Sequence, residues 1–525
     1  MNHALKIFLT ASILFLTAII MSSAICEVDG DSISVSDGGY EYEINGDEAT
    51  LISLGNLESK VYDIPASITY DGKTYAVTGI GKLNNGAAVS GTAHTNILNN
   101  INSTNYKTEY SIKLNSNVSI NSYAFLVEIP GLIKEQWKSY LTNVDLNNHK
   151  IVSVGDYAFY NCEVLSEFSL SDCTSIGRYA FCSCKNFKNA ELSCSVSDYA
   201  FYGSGLTVVN FKNSIERIGD YAFAGTGSYS SKKSVNIKEI NVNVNKIGSN
   251  AFRYTILENI NLTGVEEIGT YAFSDITLPK DVEGGPKHIT NVIISGTITK
   301  TPEGMFKGST KLASVVLPDS CIEISKLSFN LAGSHSKSDG IELSLNNCSK
   351  IGESAFLGAK FKNKGLNLPS VVEIGKDAFK DGTKKTLIET ITIGSRCTYI
   401  GEKAFSPSSA LTTVAINSDV LGSDSIFEGC TSLNTVNLSG VKQIGPSVFK
   451  GCKSLTSMDM TNITNIGVSA FEGTGLTSVT ISSTVSSVGM KAFFGCTSLT
   501  TVAINSDVLG SDSIFEGCTS LNTVN

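Results

Sequence analysis

The feature that most constrains this chain is a phrase, Ile-Gly-x-x-Ala-Phe, that returns along most of its length. Its Phe falls at positions 125, 159, 181, 201, 223, 252, 273, 306, 329, 356, 379, 405, 427, 449, 471, 493 and 515. The last six are 22 residues apart; earlier gaps mostly run from 20 to 29, and two are longer, Phe125 to Phe159 at 34 and Phe273 to Phe306 at 33. The stretch Leu411–Asn437 recurs residue for residue at Leu499–Asn525, an offset of 525 − 437 = 88, or four repeats of 22. A short fixed period specifies a stack of similar units, and the uneven gaps specify loops inserted between them.

One unit shows what each position is for. In Leu455-Thr456-Ser457-Met458-Asp459-Met460 the apolar residues sit at places 1, 4 and 6, and the last pair alternates as a strand does. Ile463 and Ile466 face the same core from the returning side. Gly467 suits a tight bend that a Cβ would obstruct. Ala470 and Phe471 close the coil, with the ring as its largest buried group. A single unit cannot bury this face; stacked units can, by laying strands in parallel at about 4.8 Å.

The phrase Leu-x-x-Val-x-Ile followed by Val-x-x-Ile-Gly-x-x-Ala-Phe-x-Gly-Cys-x-Ser resembles the leucine-rich repeat of BspA-type surface proteins, the treponemal subclass. Val488-Gly489-Met490-Lys491-Ala492-Phe493-Phe494-Gly495-Cys496 is a close instance. The resemblance covers roughly residues 118–525. It implies a solenoid: a curved arc of about 17 coils with a parallel sheet on its concave face. Tyr40 to Thr50, Ile64-Pro65 and Gly72 to Gly81 resemble the β-rich N-terminal cap of such proteins. The expected division is a secretory signal over 1–25, the cap over 26–82, an irregular first repeat with an insert over 83–150, and repeats over 151–525. Glu128 to His149, which holds the lone Trp137, is the insert and is expected to contain helix. The chain stops at Leu521 to Asn525, inside a strand, so truncation at the C-terminus is expected.

Residues 1–25 read as an export signal: Lys6 gives a basic start, Ile7 to Met21 an apolar run, and Ser22 and Ala24 a small-residue cleavage site. That run falls short of the ~20 residues a spanning helix needs. Composition then narrows the function classes. A net charge of −9 with no basic block argues against nucleic acid, whose phosphates need clustered Lys and Arg. Charged residues make up only 17% of the chain, so Ser, Thr, Asn and Gly must cover much of its surface. The five His are scattered.

Chemistry-bearing patterns are sparse. Cys162, Cys184, Cys430, Cys452, Cys496 and Cys518 each lie three residues after the repeat Phe, which marks them as packing residues; disulfides between neighbouring coils are the lesser alternative. Cys182-Ser-Cys184 lacks the second pair or nearby His of a metal site. Asp29-Gly-Asp31 lacks the later ligands of a calcium loop. No cofactor, metal site or catalytic set is expected, and the chain is read as non-catalytic.

Function is therefore expected on the outward residues of the first strand. Early units offer Ser166, Glu167, Ser169; Lys188, Asn189, Glu191; and Lys238, Glu239, Asn241. Later ones offer Glu389, Thr390, Thr392, and the ligand-binding candidates Asn434, Thr435, Asn437, Thr456, Ser457 and Asp459. The row is polar and nearly free of aromatics, which favours a protein partner over a stacked sugar. The resemblance implies adhesion at the cell surface to an extracellular protein or glycan of host matrix, host cell or neighbouring microbe. No nucleic acid is expected, and membrane association only through the signal or a missing C-terminal anchor. Two alternatives stand beside it: a self-associating surface layer, and the binding part of an enzyme whose catalytic domain lies beyond residue 525.

Overall fold

In the computed structural model, residues 33–37, 40–54, 61–81, 109–126, 139–166, 168–225, 237–274, 289–335, 338–382, 387–419, 421–506 and 512–525 are described. The export signal, Asp29-Gly-Asp31, Trp137 and Glu167 lie outside them. The described residues form strands, turns and irregular connections; no helix occurs among them.

The repeat builds a parallel-stranded solenoid in which each coil has three sides. The first is the Leu-x-x-Val-x-Ile strand. It forms ladders such as Gly365–Leu368, Thr390–Ile393, Thr413–Ile416 and Thr435–Asn437, paired in register through Leu366, Ile391, Val414 and Val436. The second is the two-residue strand before the repeat glycine, as in Gln443–Ile444, Asn465–Ile466 and Ser487–Val488. The third is the turn carrying Ala-Phe, held by bonds to the following coil: Phe449 N–H donates to Ala470 O at 2.9 Å and Phe471 N–H to Ala492 O at 2.8 Å. Where the ladders are regular, each side thus satisfies its backbone groups through the neighbouring coil.

Inside, the repeat rings form one column. Each Phe from Phe125 to Phe515 contacts the next ring, with centroids from 4.9 Å (Phe125 on Phe159) to 5.8 Å (Phe273 on Phe306), and all pairs stack except Phe306 with Phe329, tilted by 40°. Around it lie the buried Leu, Val and Ile of the two strands, in one continuous core from Tyr42 to Ile514.

The repeat glycine has a different reason from the one expected. Gly467 has ordinary backbone angles, and a Cβ on it would stand 2.5 Å from the carbonyl carbon of Gly445 and 2.6 Å from Pro446 N. At Gly489 the same atom would meet Val468 N at 2.4 Å. Glycine is required because adjacent coils approach backbone to backbone. The left-handed residue is the one two places before the repeat Phe, as in Ser447, Ser469 and Lys491, with φ from 52 to 57°.

Ahead of the first repeat Phe, strands Ile33–Asp37, Tyr40–Asn45 and Glu48–Ser53 pair antiparallel in sequence. Glu48–Ser53 then pairs in parallel with Lys73–Ile80, which pairs with Val118–Ile120 and so runs into the second ladder of the coils.

Candidate binding surfaces

All six ligand-binding candidates are exposed. Asn434 and Thr435 both donate their N–H to Thr412 O at 3.0 Å, which fixes the start of the strand Thr435–Asn437. The Thr435 hydroxyl donates to Asn434 Oδ1 at 2.8 Å. Thr456, Ser457 and Asp459 belong to the next coil, but Leu455–Met460 forms no strand. There the contact to the next coil is Thr477 N–H on Thr456 O at 3.0 Å. Asp459 accepts from the Thr461 hydroxyl and N–H, and those bonds hold its carboxyl below the usual range. The six residues therefore share one face without forming one continuous strand row.

The same face is better ordered further upstream. In the strands Glu239–Ile247, Asn259–Val265 and Asn291–Gly296, outward side chains bond from coil to coil. Asn259 donates to Glu239 at 3.1 Å, Asn291 to Asn259 at 3.0 Å, and Asn261 to Asn241 at 3.1 Å. Beside this amide ladder, Ile293 and Val316 pair across neighbouring strands and are 49% and 52% exposed. Lys188, Asn189, Glu191, Lys238, Glu239, Asn241, Thr390 and Thr392 are exposed as expected, while Ser166 and Glu389 are half-buried.

A second surface was not anticipated. Tyr123, Tyr157, Tyr179, Tyr199 and Tyr221 occupy the left-handed position of successive coils, with φ from 53 to 63°. Their half-buried rings stack at 5.1, 4.8, 4.6 and 4.8 Å, within 16° of parallel. Because the faces cover one another, the column presents ring edges and phenol oxygens rather than flat sugar-stacking faces. Burial, with neighbouring phenols adding to it, pushes the Tyr157 hydroxyl up to about 12. In the regular downstream coils the same position holds Ser425, Ser447, Ser469, Lys491 and Ser513. The signal in the sequence is Tyr-Ala-Phe, which all five coils share.

The twelve described cysteines carry free thiols, all buried except half-buried Cys518. Their place in the repeat has a polar reason as well as a packing one. Cys184, Cys430, Cys452, Cys496 and Cys518 each donate Sγ–H to the Phe carbonyl of the preceding coil, at 2.9 to 3.4 Å. Burial raises the Cys430 thiol to about 12 and Cys518 to about 11, the reverse of what a nucleophile needs. Among the described residues, no group of three or more His, Cys, Asp or Glu is placed to hold a metal ion. No described helix is long and apolar enough to cross a membrane.

The profile of the BspA-type leucine-rich repeat region matches six times, over residues 95–230, 156–280, 195–335, 285–412, 332–456 and 422–525. The chain belongs to this family. BspA-type repeat proteins are commonly surface-exposed. Among solved structures, a leucine-rich repeat protein of Bacteroides ovatus is 20% identical over 93% of this chain and 94% of its own, with a TM-score of 0.41. A leucine-rich cell surface protein of Faecalibacterium prausnitzii is 18% identical over 95% and 96%, at 0.27. The pneumococcal vaccine antigen PcpA is 16% identical over 94% and 99%, at 0.28. No match was found among curated proteins.

Proposed function

We propose that this BspA-type protein is exported, sits at the cell surface and binds an extracellular protein or glycan without catalysis, in the manner of an adhesin. On this reading residues 1–25 are removed after export, and the strands before the first repeat cap its apolar end. The observation that carries the proposal is the outward face of the first ladder. Its Asn, Ser and Thr side chains are exposed yet tied to one another between coils, as in Asn261 to Asn241 and Asn291 to Asn259. A surface held in place before contact loses less side-chain freedom on binding than free side chains would. Repetition of one motif also lets weak contacts add.

The test is binding of residues 27–525 to a panel of matrix proteins, mucins, glycans and microbial cells. A control carries Thr435→Lys, Asn437→Lys, Thr456→Lys and Asp459→Lys. Saturable binding weakened tenfold or more by the control, a loss of about 1.4 kcal/mol, supports adhesion through this face. Absence of binding across the panel removes the adhesive reading.

A further inference from the structure

The first ladder breaks at one coil, and sequence explains the break. The repeat begins its strand with a fully buried leucine, as at Leu312, Leu411, Leu433 and Leu455. In two successive coils that place is taken by Gly340 and Asn363, which the pairings Ser314 with Glu342 and Gly365 with Thr390 identify. With neither anchor present, the register slips. Ile341 bridges Phe361, where regular pairing would put it against Lys364, a shift of 364 − 361 = 3 residues.

After Glu342 the pairing stops altogether. Glu342 N–H still donates to Ala313 O at 2.8 Å, and Val315 N–H to Glu342 O at 3.0 Å. Leu343 and Ser344 then bond to neither neighbouring coil, so beyond the Val315–Glu342 bond the ladder is open, and on its far side the Gly365 N–H donates to Asn363 Oδ1 at 3.1 Å instead of to a neighbouring strand. Two clefts of about 380 and 410 Å³ flank the loosened segment. The first has an apolar floor that includes Leu317, Leu345 and Cys348, and it opens beside exposed Val316 and Ile293. Its lining residues include two carboxylates, Asp319 and Glu342, and no Lys or Arg. Glu342 is shared with Lys362 of the next coil at 2.8 Å, and Asp319 accepts only from the Asn347 amide, at 3.5 Å.

We propose that this first cleft receives an extended segment of a protein partner in which apolar residues alternate with Lys or Arg. The unbonded backbone of Leu343 and Ser344, which lines this cleft, offers hydrogen bonds of the kind by which a peptide joins a sheet. The apolar floor takes alternate side chains, and the carboxylate rim selects cations. This deepens the adhesive reading by naming one docking site and the chemistry it takes.

The experiment uses the 525-residue chain and a fluorescent seven-residue peptide alternating lysine and valine, with a glutamate–valine peptide as control. Fluorescence anisotropy should give saturable binding for the lysine peptide, weakening as salt rises, and at least tenfold weaker binding for the glutamate peptide. Hydrogen exchange should slow at Val315 to Leu317 and Leu343 to Leu345. Val316→Lys, at an exposed position where folding is spared, should weaken binding at least tenfold; circular dichroism checks its fold. Asp319→Asn should weaken it a few-fold. Failure of the lysine peptide to bind, equal binding of the glutamate peptide, protection elsewhere, or indifference to Val316→Lys overturns the proposal. Partner binding in the panel that ignores Val316→Lys removes this site and leaves adhesion standing. Peptide binding with an empty panel leaves the site and removes adhesion.

Discussion

The chain contains its own controlled comparison, because residues 411–437 and 499–525 have identical sequences in different surroundings. In the first copy Phe427, Cys430 and Leu433 are fully buried. In the second, Phe515, Cys518 and Leu521 are only half-buried. Contacts to the preceding coil are alike: Cys430 bonds Phe405 O at 3.4 Å, and Cys518 bonds Phe493 O at 3.1 Å. The difference comes from the following side. Phe427 lies between Phe405 and Phe449, and its N–H donates to Val448 O at 3.0 Å. Within these 525 residues, identical side chains therefore differ in burial because a following coil covers the first copy and none covers the second. In a solenoid, stability belongs to the interfaces between units as much as to the units.

The sharpest way to break this comparison is to truncate the same ring in both copies. Phe427→Ala opens a cavity walled on both sides and should cost about 3–5 kcal/mol, the usual range for a buried Phe. In a polypeptide that ends at Asn525, Phe515→Ala should cost less than half as much, since its site is then open on one side. Urea unfolding, followed by hydrogen exchange to localise the loss, measures both; equal costs would show that the following coil contributes nothing.

A smaller effect lies in the thiols. Both are raised above their ordinary value of 9 mainly by burial, Cys430 to about 12 and Cys518 to about 11. The folded chain thus holds these protons more tightly than the unfolded chain. Their contribution to stability is complete below pH 9 and declines as pH rises toward 11 for Cys518 and 12 for Cys430. Alkylation with iodoacetamide across pH 8–11, read by peptide mass spectrometry, should label Cys518 well before Cys430. Equal labelling would contradict the difference in burial.

The smallest effect is a control on the exposed face. Thr435 and Thr523 make the same local bond, to Asn434 and Asn522 respectively, each at 2.8 Å. Replacing either with Ala should change stability by no more than about 0.5 kcal/mol, as surface substitutions do. Matching small values for this pair, beside unequal ones for the Phe pair, would confine the difference to the core.

Much of the fold was readable because each coil solves the same burial problem. The positions of Phe471, Ile466 and Leu455 in their repeat were enough to assign inward faces and parallel strands. Other features were not readable, for reasons particular to each. Gly467 reads as a bend because a single unit shows no neighbour; its constraint in the structure is the backbone of Gly445 and Pro446 one coil away. The column from Tyr123 to Tyr221 is not legible in sequence because ring exposure at a left-handed turn depends on how successive coils stack. The candidates Thr456, Ser457 and Asp459 were placed on a regular strand, yet Leu455–Met460 does not pair as one.

By itself the sequence determined the period, the strand and turn of each coil, and the identity of the side chains that must be hidden. These follow from local rules of alternation and volume, which repeat with the residues. The tertiary structure alone decided how completely each side chain is hidden, which tyrosines meet, and where the ladder opens beside Leu343. Those outcomes depend on the register between coils, and register is set jointly by residues some 22 positions apart. Where Gly340 and Asn363 withdraw two anchors in succession, the register slips and a closed sheet becomes an open cleft.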